Sequence, residues 1–181
     1  MKLNLFNIPI YIGNIDVNKI IIENSKFEKT WKSKTESSYY FDNKIKKDSV
    51  IYLLDTISNL IRKDMSSSIN LKLLNIWENR YLKKDFQERH LHPHSHFSFV
   101  IYKKIKTSNT VFINPSDKLI ESYYLPFILN NSNLFDIDYQ PELREGQIIV
   151  FPSFLEHMVL PNDDNVTISG NIIFEQITNG E

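Results

Sequence analysis

Ile69-Asn70-Leu71-Lys72-Leu73-Leu74-Asn75-Ile76-Trp77 is the stretch at which the chain changes period. Before it, Val50, Ile51, Leu54, Ile57, Leu60 and Ile61 recur at helical spacing with polar residues on the other face. That is an amphipathic helix, capped by Asp48 or Ser49 and ended by Met65-Ser66-Ser67-Ser68. From Ile69 the period is two. Leu71, Leu73 and Trp77 fall on one face of a strand, with Asn75 between them. Further strands read at Ser98–Lys104, at Thr110–Ile113, from Gln147 to Phe151 after Gly146, and at Val166–Phe174. After residue 69 no helix alternates with these strands, so a parallel α/β sheet is excluded. The expected fold is mainly β, an all-β barrel or sandwich with helices packed outside.

Working outward, residues 3–12 read as a short strand broken at Pro9, which suits a sheet edge. Asp16 is placed to cap a helix beginning near Val17. Residues 26–48 read as a loop with a short strand around Tyr39-Tyr40-Phe41. Residues 115–141, with Pro126 and the cluster Asn130-Asn131-Ser132-Asn133, are long for a connection. They form either a lid or substrate loop, or a cover in which Tyr123, Tyr124, Phe127 and Phe135 pack on the barrel's outer face.

A chain of 181 residues is one domain, with a helical N-terminal part over 1–68 and a β core over 69–178. A hydrophobic fraction of 41% can build a core and argues against disorder. The net charge of -1 gives no field to hold nucleic acid or anionic lipid. The absence of Cys excludes disulfides, thiolate metal sites and a Cys nucleophile. No signal-peptide pattern and no apolar run of about 20 residues is present. The expectation is a soluble, cytoplasmic protein, with homodimerisation through the N-terminal edge strand as one option.

Four of the five histidines lie within seven residues: His90, His92, His94 and His96; the fifth is His157. On an extended strand His90 and His92 point to one side and can share a metal ion. His157 is the distant candidate for a third ligand. Three protein ligands leave positions open, as in a catalytic site. The residues alone equally allow a solvated His-rich loop and a core histidine at 157. Pro93 bends the chain, which separates His94 and His96 from the pair.

The flanking residues are more specific. His90-Leu91-His92-Pro93-His94-Ser95-His96-Phe97-Ser98-Phe99-Val100-Ile101-Tyr102 resembles the HxHPxSxxSGVYY block of a family of 2-oxoglutarate/Fe(II)-dependent oxygenases found in bacteria and phages. Gly146 to His157 resembles its GxLxxFPSxLxH block. Pro161-Asn162 and Ile168-Ser169-Gly170-Asn171 are similar to its PN and closing ISxxN. Leu5 to Tyr11 and Trp77-Glu78-Asn79 followed by Asp85 resemble its opening and lead-in.

The resemblance implies a double-stranded β-helix, a jelly-roll barrel, with Fe(II) held by His90, His92 and His157. It implies 2-oxoglutarate as cosubstrate, decarboxylated to succinate and CO2 while a second substrate, a small molecule or a protein side chain, is hydroxylated. The wider superfamily uses His-x-Asp/Glu…His, so a second His leaves the site one unit more positive. Asn79, Ser98, Tyr102, Lys104 and Asn165 are the implied cosubstrate-binding positions. Asn165 stands where the family has an Arg that clamps the distal carboxylate. By strand alternation Ser98, Val100, Tyr102 and Lys104 share a face, which makes Lys104 the candidate replacement cation; a solvated strand end is the other reading. Phe99 replaces a family Gly and would narrow the pocket if it faced inwards. The alternatives to a 2-oxoglutarate enzyme are a cupin-like three-His metal enzyme that does not use it, and a non-catalytic jelly-roll binding module.

Overall fold

The computed structural model describes residues 7–23, 26–30, 32, 35–64, 69–130 and 136–176. Thirteen strands appear among them: β1 (Tyr11–Asn14), β2 (Ile22–Glu23), β3 (Glu28–Thr30), β4 (Thr35–Ser37), β5 (Lys44–Ile45), β6 (Ile69–Tyr81), β7 (Asp85–His90), β8 (Phe97–Lys104), β9 (Thr110–Ile113), β10 (Asp138–Tyr139), β11 (Gln147–Pro152), β12 (His157–Asn162) and β13 (Asn165–Gln176). Helix α1 spans Lys47–Ile61 and α2 spans Asp117–Asn130. The large sheet runs β1-β11-β8-β13-β6-β4-β3 and the smaller one β10-β9-β12-β7; β2 and β5 pair separately. All ladders are antiparallel. Two antiparallel sheets face to face form the jelly roll that the resemblance implied.

The large sheet is buried on both faces, which explains the unbroken apolar run of β11. Ile148 and Val150 turn outward to Leu53, Ile57 and Ile61 of α1, together with Phe97, Phe99, Ile101, Ile168 and Ile172. Ile149 and Phe151 turn inward to Val100, Tyr102, Phe112 and Leu155. α1 therefore packs outside, as its period foretold, although it starts at Lys47 without a side-chain cap. Ser49 instead accepts a hydrogen bond from the Ile21 backbone.

Two β-bulges set which residues face inward. Opposite Asn171 and Ile172 of β13 stand Asn75 and Leu73, so Leu74 is one residue too many on β6. Alternation flips there. Leu71 and Leu73 pack towards α1, while Trp77 turns into the barrel with Asn79 and Tyr81. Leu71, Leu73 and Trp77 thus do not share a face. The second shift lies between Val166 and Thr167, which pair with Lys104 and Tyr102. Such extra residues re-aim side chains beside sites.

Other expectations resolve locally. The N-terminal strand lies at the edge of the large sheet, but over Tyr11–Asn14; residues 3–6 lie outside the described residues. Asp16 caps a single 3-10 turn, Val17–Lys19, rather than a helix. Tyr39 and Tyr40 sit in a turn, with strands on either side. The first 68 residues add β1, β3 and β4 to the large sheet besides α1. The 115–141 segment carries α2, on which Tyr123 is exposed rather than packed. Phe135 and the Asn131–Asn133 part of the turn cluster lie outside the described residues, as does the side chain of Phe127.

Phe99 faces α1, away from the barrel interior, and is fully buried. It uses space beside Gly170, where a Cβ would meet Phe99 Cζ at 2.5 Å and the Asn75 carbonyl oxygen at 2.6 Å. The bulk at 99 is thus matched by its absence at 170.

Candidate metal centre

β12 lies between β9 and β7, with His157 opposite His90 on one side and Phe112 on the other. His92 follows the end of β7 and is anchored by its backbone N–H to the Ser153 carbonyl at 3.0 Å. The sheet thereby gathers three rings with centroids 5.2 Å apart for His90 and His92, 4.3 Å for His90 and His157, and 5.1 Å for His92 and His157. One nitrogen from each ring lies within 4.8 Å of the others. Trp77 stacks on His92 at 5.6 Å, and Tyr39 meets Trp77 edge-on at 4.9 Å.

The hydrogen bonds fix the tautomers. His90 Nδ1 donates to the Glu88 carbonyl at 2.7 Å and His157 Nδ1 to the Leu155 carbonyl at 3.1 Å. A carbonyl only accepts, so these protons sit on Nδ1. His92 Nδ1 donates at 2.6 Å to Asn171 Oδ1, which also accepts from Ser98 at 2.8 Å. All three Nε2 atoms are left as lone-pair donors, the arrangement metal-binding imidazoles adopt. Burial holds all three pKa values down: His157 well below the usual histidine value, with His90 and His92 adding repulsion, His92 to about 4, and His90 in the same direction. The rings are neutral at neutral pH, and three neutral imidazoles fit a divalent transition metal.

Arg89 braces the rim. Its guanidinium bonds Asp117, at the start of α2, at 2.7 Å and also Glu156 beside His157. Both carboxylates raise its pKa. Glu156 is engaged in this pair rather than acting as a base.

Behind the imidazoles lies a recess of about 470 Å³, counted to its open mouth. Asn79, Tyr102 and Asn165 line it, as do Thr110, Asn162, Thr167 and Ser169, but no Lys, Arg, Asp or Glu does. Burial raises the pKa of Tyr102, so its phenol stays protonated.

Two implied cosubstrate residues are elsewhere. Lys104 pairs with Asp164 on the exposed surface, because the shift between Tyr102 and Lys104 breaks the alternation that placed it inward. Ser98 sits behind His92, bonded to Asn171 and to Ser153 at 2.8 Å. Asn165 does line the recess, but its side chain is spent on Lys106 N–H, the Thr107 carbonyl and Asn162. His94 is exposed in a turn with φ 67°. His96 stacks on Phe174 and accepts its backbone N–H at 2.8 Å. Asn171 is a site residue that the sequence pattern alone does not assign; its signal is that it continues the inward row of Asn165, Thr167 and Ser169 on one strand.

Residues 75–171, more than half the chain, match a family model described as "Putative 2OG-Fe(II) oxygenase". Among solved structures the chain is similar to a 2OG-Fe(II) oxygenase family oxidoreductase from Burkholderia pseudomallei (13% identity, 94% of this chain and 70% of that one, TM-score 0.49). It is similar to a Pseudomonas putida prolyl-4-hydroxylase (13% identity, 90% and 80%, TM-score 0.49). A third is HygX from Streptomyces hygroscopicus, solved with nickel, 2-oxoglutarate and hygromycin B (12% identity, 86% and 74%, TM-score 0.47). No relative is found among curated proteins.

Proposed function

The chain belongs to the 2OG-Fe(II) oxygenase family, and from that premise we propose that His90, His92 and His157 hold its Fe(II) and that the recess behind them receives 2-oxoglutarate. The observation that carries this is the convergence of three imidazoles whose Nδ1 protons are all committed to acceptors. The metal and cosubstrate, when bound, supply oxidative decarboxylation to succinate coupled to oxidation of a second substrate. The protein's part is positional. The Glu88 and Leu155 carbonyls and Asn171 orient the rings; Phe112, Phe151 and Trp77 pack around them and limit water.

The second substrate is a small molecule or a protein side chain. No helix among the described residues is long and apolar enough to cross a membrane. A Cys-free chain suits the reducing cytoplasm, and β1, the end strand of the large sheet among the described residues, suits pairing of two copies.

The test is succinate formation from 2-oxoglutarate by the Fe(II)-loaded chain in air with ascorbate, with His157→Ala as control. Succinate from the wild type alone is the expected result. Oxygen uptake without any need for 2-oxoglutarate would point instead to a three-His enzyme that works without it.

A further inference from the structure

No Lys or Arg lines the recess to hold the distal carboxylate of 2-oxoglutarate, yet several of its uncharged side chains keep a donor to spare. Ser37 accepts from the Tyr39 N–H, so its own proton goes to Asn79 Oδ1 at 2.7 Å. That fixes the Asn79 amide with Nδ2 towards the Thr167 and Ser169 hydroxyls, at 3.5 and 3.3 Å. Both oxygens accept; Thr167 in turn bonds the Tyr81 hydroxyl, which donates to Gln87 at 3.1 Å, so of the two only Ser169 keeps its proton for the recess.

Asn165 is oriented by backbone groups on both sides of its amide, Lys106 N–H and the Thr107 carbonyl. Its Nδ2 also reaches Asn162 Oδ1. Asn162 must therefore turn its NH2 away from Asn165, and among the described residues that group meets no acceptor. Tyr102 and Thr110 share one hydrogen bond of 2.7 Å between two hydroxyls, which leaves one proton over. Thr110, the partner of Tyr102, lies two residues from Phe112, which stands opposite His157. The Tyr102–Thr110 pair thus sits one strand step, about 7 Å, from His157, a spacing that a five-carbon diacid bridges.

Charge closes the argument. A divalent metal on three neutral imidazoles carries +2, which the dianion cancels without help from the wall. In the His-x-Asp/Glu pattern a ligand carboxylate and a clamping Arg cancel each other instead. A chain lacking both keeps the same balance, whereas a lone Arg here would bury an uncompensated charge. Resting on the function proposed above, we infer that this chain holds the distal carboxylate of 2-oxoglutarate with uncharged donors, the Tyr102–Thr110 pair foremost, and that His92 in place of a carboxylate supplies the charge an Arg would otherwise bring.

The experiment is calorimetry on the full chain, metal-free or loaded with Zn(II), using 2-oxoglutarate and 2-oxopentanoate, which lacks the distal carboxylate. The Zn(II) form is expected to bind 2-oxoglutarate at least tenfold tighter than 2-oxopentanoate, and the metal-free chain to bind neither. Tyr102→Phe combined with Thr110→Val should erase most of that preference. His92→Asp should weaken 2-oxoglutarate at least tenfold and 2-oxopentanoate less. Equal binding of the two acids, binding of 2-oxoglutarate without metal at the same strength, or an unchanged preference in the Tyr102→Phe/Thr110→Val double variant overturns the inference. Circular dichroism checks the variants; if one does not fold, the two wild-type comparisons still decide. If the Zn(II) form binds neither acid, the reading of the recess as a 2-oxoglutarate site fails along with it.

Discussion

His92 Nδ1 lies 2.6 Å from Asn171 Oδ1, so the second imidazole takes its tautomer from a strand of the opposite sheet. The other two rings take theirs from backbone carbonyls two residues away in their own segments. Asn171 is therefore the side chain that ties the two sheets together at the metal centre. Its replacement by Ala should lower metal affinity about 10- to 100-fold with the fold intact. A Zn(II) titration against a competing chelator measures this; unchanged affinity would remove Asn171 from the site.

The contact between Phe99 and Gly170 makes a stability prediction. A methyl group at 170 has no room between the Phe99 ring and the Asn75 carbonyl. Gly170→Ala should cost about 1–3 kcal/mol by overpacking, read as a lower urea midpoint. Adding Phe99→Leu should recover part of the loss.

The depressed histidine pKa values set a pH dependence for the metal-free chain. Unfolded, these imidazoles take up protons near their ordinary value of 6.5; folded, His92 does so only near 4. Between these values the unfolded state binds more protons, so stability is full above about pH 6.5 and falls as pH drops. From pH 7.5 to 5.5 His92 alone should cost about 1 kcal/mol, with His90 and His157 acting in the same direction. Thermal melts across that range test it, and a flat profile would contradict the burial of the three rings.

Arg89 offers a separable test. Removing it leaves the Asp117 carboxylate buried without its guanidinium. Arg89→Gln should destabilise by about 1–2 kcal/mol, less than for a fully buried pair because the Arg is partly exposed. Asp117→Asn in the same background should restore part of it.

Much of this was legible in the residues, and the failures have common causes. Ile57 and Ile61 kept their helical period because only one face of α1 meets the sheet; Leu53 joins them there, whereas Ile51, read onto that stripe, is exposed. β11 announced itself because both of its faces are buried. β7 and β12 did not, because one face of each looks into a polar recess: Gln87, His90, His157 and Asn162 occupy positions where an apolar alternation was sought. The inward placing of Lys104 and of Trp77 with Leu71 failed for one reason. Counting by twos does not survive a bulge, and bulges lie on both strands concerned. α2 was hidden by Pro126 and by a surface with little amphipathic contrast. The three histidines came together from a repeat in sequence plus the flanking blocks; Asn171 needed the register of β13.

The central claim is that His90, His92 and His157 hold one metal ion. Anaerobic reconstitution with Fe(II), removal of free metal and measurement of iron per chain test it most directly. The expected result is one iron per wild-type chain and a near-complete loss in His157→Ala, while a folded His157→Ala chain that keeps a full equivalent of iron would contradict it.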